Sequence, residues 1–164
     1  MRAITLEQAN TIIEIAFARA RELGMNSLAI TDHGNLHGAI DFYRIARDAQ
    51  VNPIIGCEMY VAPGSRHDRD PNEKKPYHLT VLAKDLRGYG NLVKLVSTAN
   101  LEGFYYNARV DRELLEKHHE GLIVLSGCPS GEVPRLIAQG RADEARAATG
   151  WYREVFRDYY LELM

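Results

Sequence analysis

Five side chains of the kinds that bind metal ions recur at the ends of apolar segments or inside them. They are Asp32 and His33 at the end of segment 28–34, Glu58 within 54–61, His78 at the start of 77–82, and Cys128 after 122–126. Carboxylate, imidazole and thiolate ligands together suit zinc or manganese better than magnesium or calcium. The pattern therefore predicts a metal site at the rim of a barrel, to which several strands each contribute a ligand.

Each of these residues also has a structural interpretation, and these alternatives stay open at this point. Asp32 could cap a helix, His78 could be a hydrogen-bonded core histidine, and Cys128 could be a small buried apolar side chain. Glu58 is harder to explain in this way, because a carboxylate inside an apolar strand costs several kcal/mol unless it is paired or bound to a cation. Cys57 is predicted to face the core, since neighbours on a strand alternate sides.

Composition narrows the class of protein. The 164 residues are 46% apolar and carry a formal net charge of −2, which fits one globular core and gives no broad electrostatic attraction to nucleic acid. Any contact with DNA must therefore be local. Two distant cysteines do not make a secreted disulfide framework, and we see neither a membrane-spanning apolar segment nor a signal peptide. We expect a cytoplasmic protein without a membrane anchor.

The segments that must position these residues alternate between helix and strand. Helices are predicted from Thr5 to Ala20, over 36–49, from Asp85 onward, and over 111–117, 132–138 and 142–156; strands are predicted over 27–31, 54–61, 77–83 and 121–125. Segment 63–76 is predicted to be an exposed, mobile loop. This order predicts an α/β fold with a mainly parallel sheet, open or closed into a barrel. In such folds the functional residues lie at the carboxyl ends of the strands. His78 fits that rule least well, because it stands near the start of its predicted strand.

One aromatic segment has a second interpretation. Phe104-Tyr105-Tyr106 near Arg109 could stack on single-stranded nucleic acid, although we favour an ordinary structural role. The sequence contains no phosphate-cradling glycine loop, nucleophile elbow or dinucleotide-binding fingerprint.

Several motifs in a fixed order resemble a known family. They are segments 28–34 (LAITDHG), 38–43 (GAIDFY), 54–66 (IIGCEMYVAPGSR), 77–79 (YHL), 101–106 (LEGFYY) and 125–133 (LSGCPSGEV). Together they closely resemble the PHP domain, the polymerase and histidinol phosphatase domain, at the amino end of bacterial DNA polymerase III alpha subunits. The resemblance runs from about residue 16 to the end, and segment 54–66 favours the polymerase branch over the free-standing phosphatases.

This resemblance implies a distorted (βα)7 TIM-like barrel with up to three zinc or manganese ions. On matching positions it implies metal ligation by Asp32 or His33, by Glu58 as a bridging carboxylate, and by His78 and Cys128. Glu58 and Asp32 are then the expected catalytic residues, and the chemistry is that of a metal-dependent phosphoesterase with 3′-5′ exonuclease activity. The implied parent is a DNA-directed DNA polymerase that works in DNA replication with DNA and other replicase subunits.

The sequence departs from the family pattern at both ends. The opening His-x-His pair is absent, because residues 1–15 contain no histidine, and the closing Asp-x-His would lie beyond Met164. We therefore expect residues 1–164 to form a single incomplete PHP domain, without the first strand and the C-terminal strands, whose phosphoesterase activity is impaired. The alternatives are a non-catalytic scaffold module of the polymerase and a free-standing phosphatase of the histidinol-phosphatase type. The oligomeric state stays open.

Overall fold

The computed structural model describes residues 5–70 and 75–163 of the chain. The chain divides into two compact units, the first formed by residues 1–30 and 37–55 and the second by residues 31–36 and 56–164. All five predicted site residues belong to the second unit.

The first unit is built on two helices and the beginnings of two strands. Helix α1 spans Leu6–Glu22, and Thr5 caps it as predicted, in a reciprocal capping box with Gln8. Helix α2 spans Ala39–Asp48. The core of this unit consists of Phe17, Phe42, Ala46 and Val51. The rings of Phe17 and Phe42 lie 5.2 Å apart between centroids, so aromatic packing joins the two helices.

Seven strands supply the sheet. They are β1 (Ser27–His33), β2 (Asn52–Val61), β3 (Tyr77–Ala83), β4 (Phe104–Tyr105), β5 (Asn107–Val110), β6 (Leu122–Leu125) and β7 (Tyr159–Tyr160). Their order is β4-β5-β2-β3-β6-β7, and β1 also pairs with β2. The predicted α/β class is confirmed. Within the described residues the sheet is open, with β4 and β7 at the ends of this path, so closure into a barrel, one of the two forms that the sequence allowed, is not observed.

The prediction of a mainly parallel sheet is wrong. Strand β3 runs antiparallel to both β2 and β6, and β4 is antiparallel to β5. The pairs β2–β5 and β6–β7 have a parallel register. A parallel neighbour requires a long crossover, usually through a helix, and the described residues between β2 and β3 form no helix. The chain therefore returns beside β2 in the opposite direction.

Four helices cover the sheet of the second unit. They are α3 (Leu86–Leu101), α4 (Arg112–Lys117), α5 (Glu132–Ala138) and α6 (Ala142–Phe156). Asp85 and Asp111 cap α3 and α4 by accepting hydrogen bonds from the backbone N–H groups of Gly88 and Leu114. The largest fully buried side chains include Met59, Leu79, Leu92, Leu95, Leu115, Leu122 and Tyr152. None of the helices in the described ranges is long and apolar enough to cross a membrane.

Helix α3 begins unusually close to the start of β6. A Cβ atom added to Gly88 would lie 1.7 Å from the carbonyl oxygen of Gly121, so only glycine fits at this position without a backbone shift. Gly90 lies two residues further along the same helix. A Cβ atom added to Gly90 would have no atom within 4 Å. The sequence of α3 therefore contains one glycine that packing requires and one that packing does not require.

The connection after β2 is exposed at most of its described residues, as its polarity predicts, but it is anchored at Arg66. The side chain of Arg66 is only 11% exposed, and its Nη1 lies 2.9 Å from Oδ1 of Asp111, which is itself 6% exposed. The backbone N–H of Arg66 donates to the same carboxylate, and Arg109 donates to the carbonyl oxygens of Arg66 and Asp68. The described part of this connection is thus anchored to the body of the second unit; residues 71–74 lie outside the described part.

Candidate functional site

The antiparallel pairing of β2 and β3 brings Glu58 and His78 together. Tyr60 pairs with His78 and Glu58 pairs with Thr80, which makes Glu58 and His78 diagonal neighbours on one face of the sheet. Oε1 of Glu58 lies 2.8 Å from Nδ1 of His78. Because β3 runs in the opposite direction, the start of β3 lies beside the carboxyl end of β2. The location of His78 at the start of its strand is therefore compatible with a shared site.

The segment after β6 adds Cys128 to this pair. Gly127 has a φ of +79°, and a Cβ atom there would lie 2.7 Å from the carbonyl oxygen of His78. Glycine at this position lets the chain pass against β3 before it turns. The Sγ atom of Cys128 then lies 3.4 Å from Nδ1 of His78.

Strand β1 adds His33 on the other side of Glu58. The N–H of Gly34 donates a 2.9 Å hydrogen bond to the carbonyl oxygen of Glu58 and fixes the end of β1 beside β2. Nε2 of His33 lies 3.5 Å from Oε2 of Glu58. The two carboxylate oxygens of Glu58 therefore face two different imidazoles. His33 is 66% exposed and Glu58 is 20% exposed, so His33 stands at the solvent side of the cluster.

Asp32 is the remaining predicted site residue, and it lies near Cys57. Neighbouring side chains on a strand point to opposite faces, so Asp32 and His33 leave β1 on opposite sides. Cys57 is fully buried, as predicted, and burial raises the pKa of its thiol to about 12, with a smaller contribution from the charge of Asp32.

The distances given above connect four of the five predicted site residues: His33, Glu58, His78 and Cys128. We call these four residues the Glu58 cluster.

Tyr60 contacts the Glu58 cluster and was missed by the sequence analysis. Its ring packs edge-on against His78 and His33, with centroid distances of 5.3 and 6.5 Å. Burial, and then the charge of Glu58, raise the pKa of its hydroxyl. The signal was present in the sequence, because Tyr60 follows Glu58 by two positions in one strand and must share its face.

The carboxylate, imidazole and thiol groups of the Glu58 cluster are suitable zinc ligands. Their side chains, however, are not arranged around a single point. The 3.4 Å between Nδ1 of His78 and Sγ of Cys128 is near the ligand separation of about 3.5 Å expected from tetrahedral zinc bond lengths. The 2.8 Å between Glu58 and His78 is a hydrogen-bond distance. No group of three or more His, Cys, Asp and Glu side chains in residues 5–70 and 75–163 is arranged to hold a metal ion.

The arrangement supports proton chemistry directly. When Nδ1 of His78 carries a hydrogen, it donates to Glu58, and the carboxylate orients the imidazole. Oε2 of Glu58 is directed toward His33, which is exposed to solvent.

The whole chain matches one protein family. Residues 3–164 match the PHP domain, and the chain belongs to the PHP domain family. The match begins earlier than residue 16, where the sequence motifs alone placed its start. Among solved structures, the chain shows a partial likeness to a protein from Bifidobacterium adolescentis described as a metal-dependent phosphoesterase. The two are 16% identical with a TM-score of 0.36, and the match covers 53% of this chain and 27% of that chain. This likeness is too weak to show a shared fold or function.

Among characterised proteins, the chain is similar to several DNA polymerase III alpha subunits. The chain is 52% identical to the subunit of Deinococcus radiodurans over 143 residues, which are 84% of this chain and 11% of that protein. It is 47% identical to the subunit of Borreliella burgdorferi over 161 residues, 96% of this chain and 14% of that protein. The Thermus aquaticus subunit is 50% identical and the match covers 84% of this chain and 12% of that protein. The chain thus spans 11–14% of the length of these relatives.

Proposed function

We propose that this chain is the PHP portion of a replicative DNA polymerase of the DNA polymerase III alpha type. The observation that carries the proposal is the Glu58 cluster, found in a PHP domain that is 52% identical to such a subunit. On this proposal the parent protein is a cytoplasmic DNA-directed DNA polymerase that binds DNA and other replicase subunits. Its strands β1 to β7 form part of a distorted barrel that further strands would complete.

The Glu58 cluster is then part of a metal-dependent phosphoesterase site of the 3′-5′ exonuclease type. Glu58, His78 and Cys128 would hold zinc or manganese, with either His33 or Asp32 as the further ligand from β1. A bound ion supplies Lewis-acid chemistry at a phosphoester. The contribution of the protein itself is to orient His78 through Glu58 and to offer His33 for proton exchange. Because five candidate ligands are fewer than a site with up to three ions needs, the isolated chain is a weak phosphoesterase.

Metal binding tests this site. We expect the purified chain to bind zinc with measurable stoichiometry by plasma emission spectrometry after dialysis, and Cys128→Ser and His78→Ala to reduce the bound amount. Zinc should also slow the alkylation of Cys128 by iodoacetamide. Cys57→Ala is the matched control, because this cysteine is buried away from the cluster and its loss should leave the stoichiometry unchanged. A chain that binds no zinc, or loses equal amounts in all three variants, contradicts the assigned ligands.

Hydrolysis tests the reaction. We expect slow, metal-dependent cleavage of a 3′-labelled single-stranded primer and of p-nitrophenyl phosphate, which Glu58→Gln abolishes. Fast turnover that persists in Glu58→Gln would show that the activity comes from elsewhere.

A second candidate function is a non-catalytic scaffold of the polymerase. It is favoured by the finding that the described residues contain no group of three or more side chains arranged to hold a metal ion. If chelators leave the melting temperature unchanged and no metal copurifies, the scaffold function is the better account. A free-standing phosphatase is the third alternative, and hydrolysis of histidinol phosphate would favour it over both.

A further inference from the structure

A concave cavity of about 570 Å³ opens beside His78, within the second unit. This volume lies in the range of small-molecule sites. His78 lines this cavity and also belongs to the Glu58 cluster. The other walls differ in chemistry: aromatic rings from Tyr60, Tyr105 and Tyr106 form one part, and cationic side chains form another. A ligand with a flat ring at one end and negative charge at the other would match these walls.

Tyr106 is held in a conformation that neither backbone preference nor burial explains. It is the single residue between the paired positions Tyr105 and Asn107 of the β4–β5 hairpin, and its φ is +59°. Glycine or asparagine adopts this left-handed region more easily than an aromatic residue does. The side chain gains little in return from packing, because it is 81% exposed. The Tyr106 ring is therefore exposed at the mouth of the cavity, where a ligand can contact it.

Tyr105 forms a rigid base beside Tyr106. The two rings lie 4.7 Å apart between centroids. The guanidinium carbons of Arg69 and Arg109 stand 5.7 and 5.3 Å from the centroid of the Tyr105 ring. Arg109 is 3% exposed and donates to the carbonyl oxygens of Gly103, Arg66 and Asp68, so it is fixed before any ligand arrives. The aromatic wall is therefore preorganised for stacking.

The cationic wall is fixed by Arg135. Its guanidinium donates to the backbone carbonyl oxygens of Lys75, Pro76 and Ser130, at 2.9 to 3.1 Å. These bonds fix the backbone at Lys75, whose side chain lines the cavity. Among the described residues, Lys75, Arg109 and Arg135 are the cationic residues that line the cavity, against one carboxylate, that of Asp70. The balance favours an anion such as phosphate.

We propose that this cavity binds a nucleoside monophosphate unit, with its base stacked on Tyr106 and its phosphate between Lys75 and His78. The inference rests on the proposed function, since it names the substrate unit that would reach the Glu58 cluster. The unit could be a free nucleotide or the last residue of a single strand, because both present the same base and phosphate.

Binding is measured on the purified 164-residue chain in EDTA, with thymidine monophosphate, a thymidine tetranucleotide, thymidine and inorganic phosphate as separate probes. We expect the monophosphate to bind more tightly than thymidine or phosphate alone. Tyr106→Gly should weaken its binding about tenfold while the melting temperature stays the same or rises. Lys75→Gln should weaken binding and reduce its salt dependence. Tighter binding of the tetranucleotide would identify the end of a single strand as the natural source.

Two matched variants control this experiment. Phe104 belongs to the same hairpin, is 58% exposed and does not line the cavity, so Phe104→Ala should leave binding unchanged. Lys94 of α3 is exposed and does not line the cavity, so Lys94→Gln is the corresponding control for Lys75. Equal losses in Tyr106→Gly and Phe104→Ala, or phosphate binding as tight as the monophosphate, would overturn the proposal. Because the nucleotide experiment is done in EDTA, it does not depend on bound metal. Nucleotide binding can therefore be observed even if the proposed metal site is wrong, so the two proposals are tested independently.

Discussion

Cys57 and Glu58 are adjacent in β2 and have opposite environments. Cys57 is fully buried with a pKa raised to about 12, whereas Glu58 faces two imidazoles on the other side of the strand. This contrast follows from the alternation of strand side chains, so it could be predicted from the sequence. The same rule would have identified Tyr60. Arg66 could not be predicted in this way, because its partner Asp111 lies 45 residues away and no local pattern relates them.

The buried acids of the second unit predict a loss of stability in alkali. Burial raises the pKa values of Cys57, Tyr152 and Tyr159 in the folded chain, so their neutral forms are favoured there. In the unfolded chain the thiol ionises near its ordinary pKa of 9.0. The contribution of Cys57 is therefore complete below pH 9 and is lost progressively between pH 9 and about 12. We expect the free energy of unfolding in urea to fall over this range.

Cys57→Ala provides the comparison for this prediction. The variant is less stable at pH 7 because of the cavity it creates, but its stability should fall less steeply between pH 9 and 11. Identical slopes in the two proteins would show that Cys57 does not take part in the pH dependence.

At the scale of elements, the close approach of α3 to β6 predicts opposite effects for two glycines of one helix. Gly88→Ala should destabilise the chain by about 1–3 kcal/mol, because its Cβ would overlap the backbone at Gly121. Gly90→Ala should stabilise it by about 0.5–1 kcal/mol, because alanine favours the helix and meets no atom within 4 Å. Urea unfolding of both variants measures the difference. Destabilisation of equal size in both would mean that helix propensity, and not this contact, controls the region.

The boundaries of several elements could be predicted, whereas the direction of strands could not. Pro76 and Asp85 enclose β3, and its predicted range agrees with the structure, as do those of α5 and α6. The β4–β5 hairpin was missed because its turn residue is Tyr106, where glycine or asparagine would have indicated a turn. The antiparallel direction of β3 depends on how the chain returns after β2, which strand periodicity does not encode.

At the scale of the whole second unit, Asp111 joins segments that are distant in sequence. It caps α4, accepts from the backbone of Arg66 and pairs with its guanidinium. Asp111→Ala should destabilise the chain by about 3–5 kcal/mol, because it leaves Arg66 largely buried without this carboxylate. Thermal and urea unfolding measure this loss.

The exposed pair Arg146–Asp143 is the control for that prediction. These side chains are 79% and 95% exposed, so Asp143→Ala should change stability by less than about 1 kcal/mol. If Asp111→Ala has an effect as small as this, the connection after β2 is not held by its ion pair.

The family could be identified from ordered motifs because each motif is local, but the closure of the sheet could not be inferred from them. Closure depends on pairing between the first and last strands, and such pairing is a property of the whole chain. The open path from β4 to β7 is therefore information that only coordinates supply.

The alternation in β2 also determines how this protein tolerates sequence change. A substitution at Cys57 or Glu58 alters one face of the strand, and the other face keeps its environment. Removal of a single residue upstream in β2 reverses both faces together, turning the carboxylate inward and the thiol toward the imidazoles. We therefore expect a single-residue deletion within β2 to disturb the fold more than a substitution at Cys57 or Glu58 does.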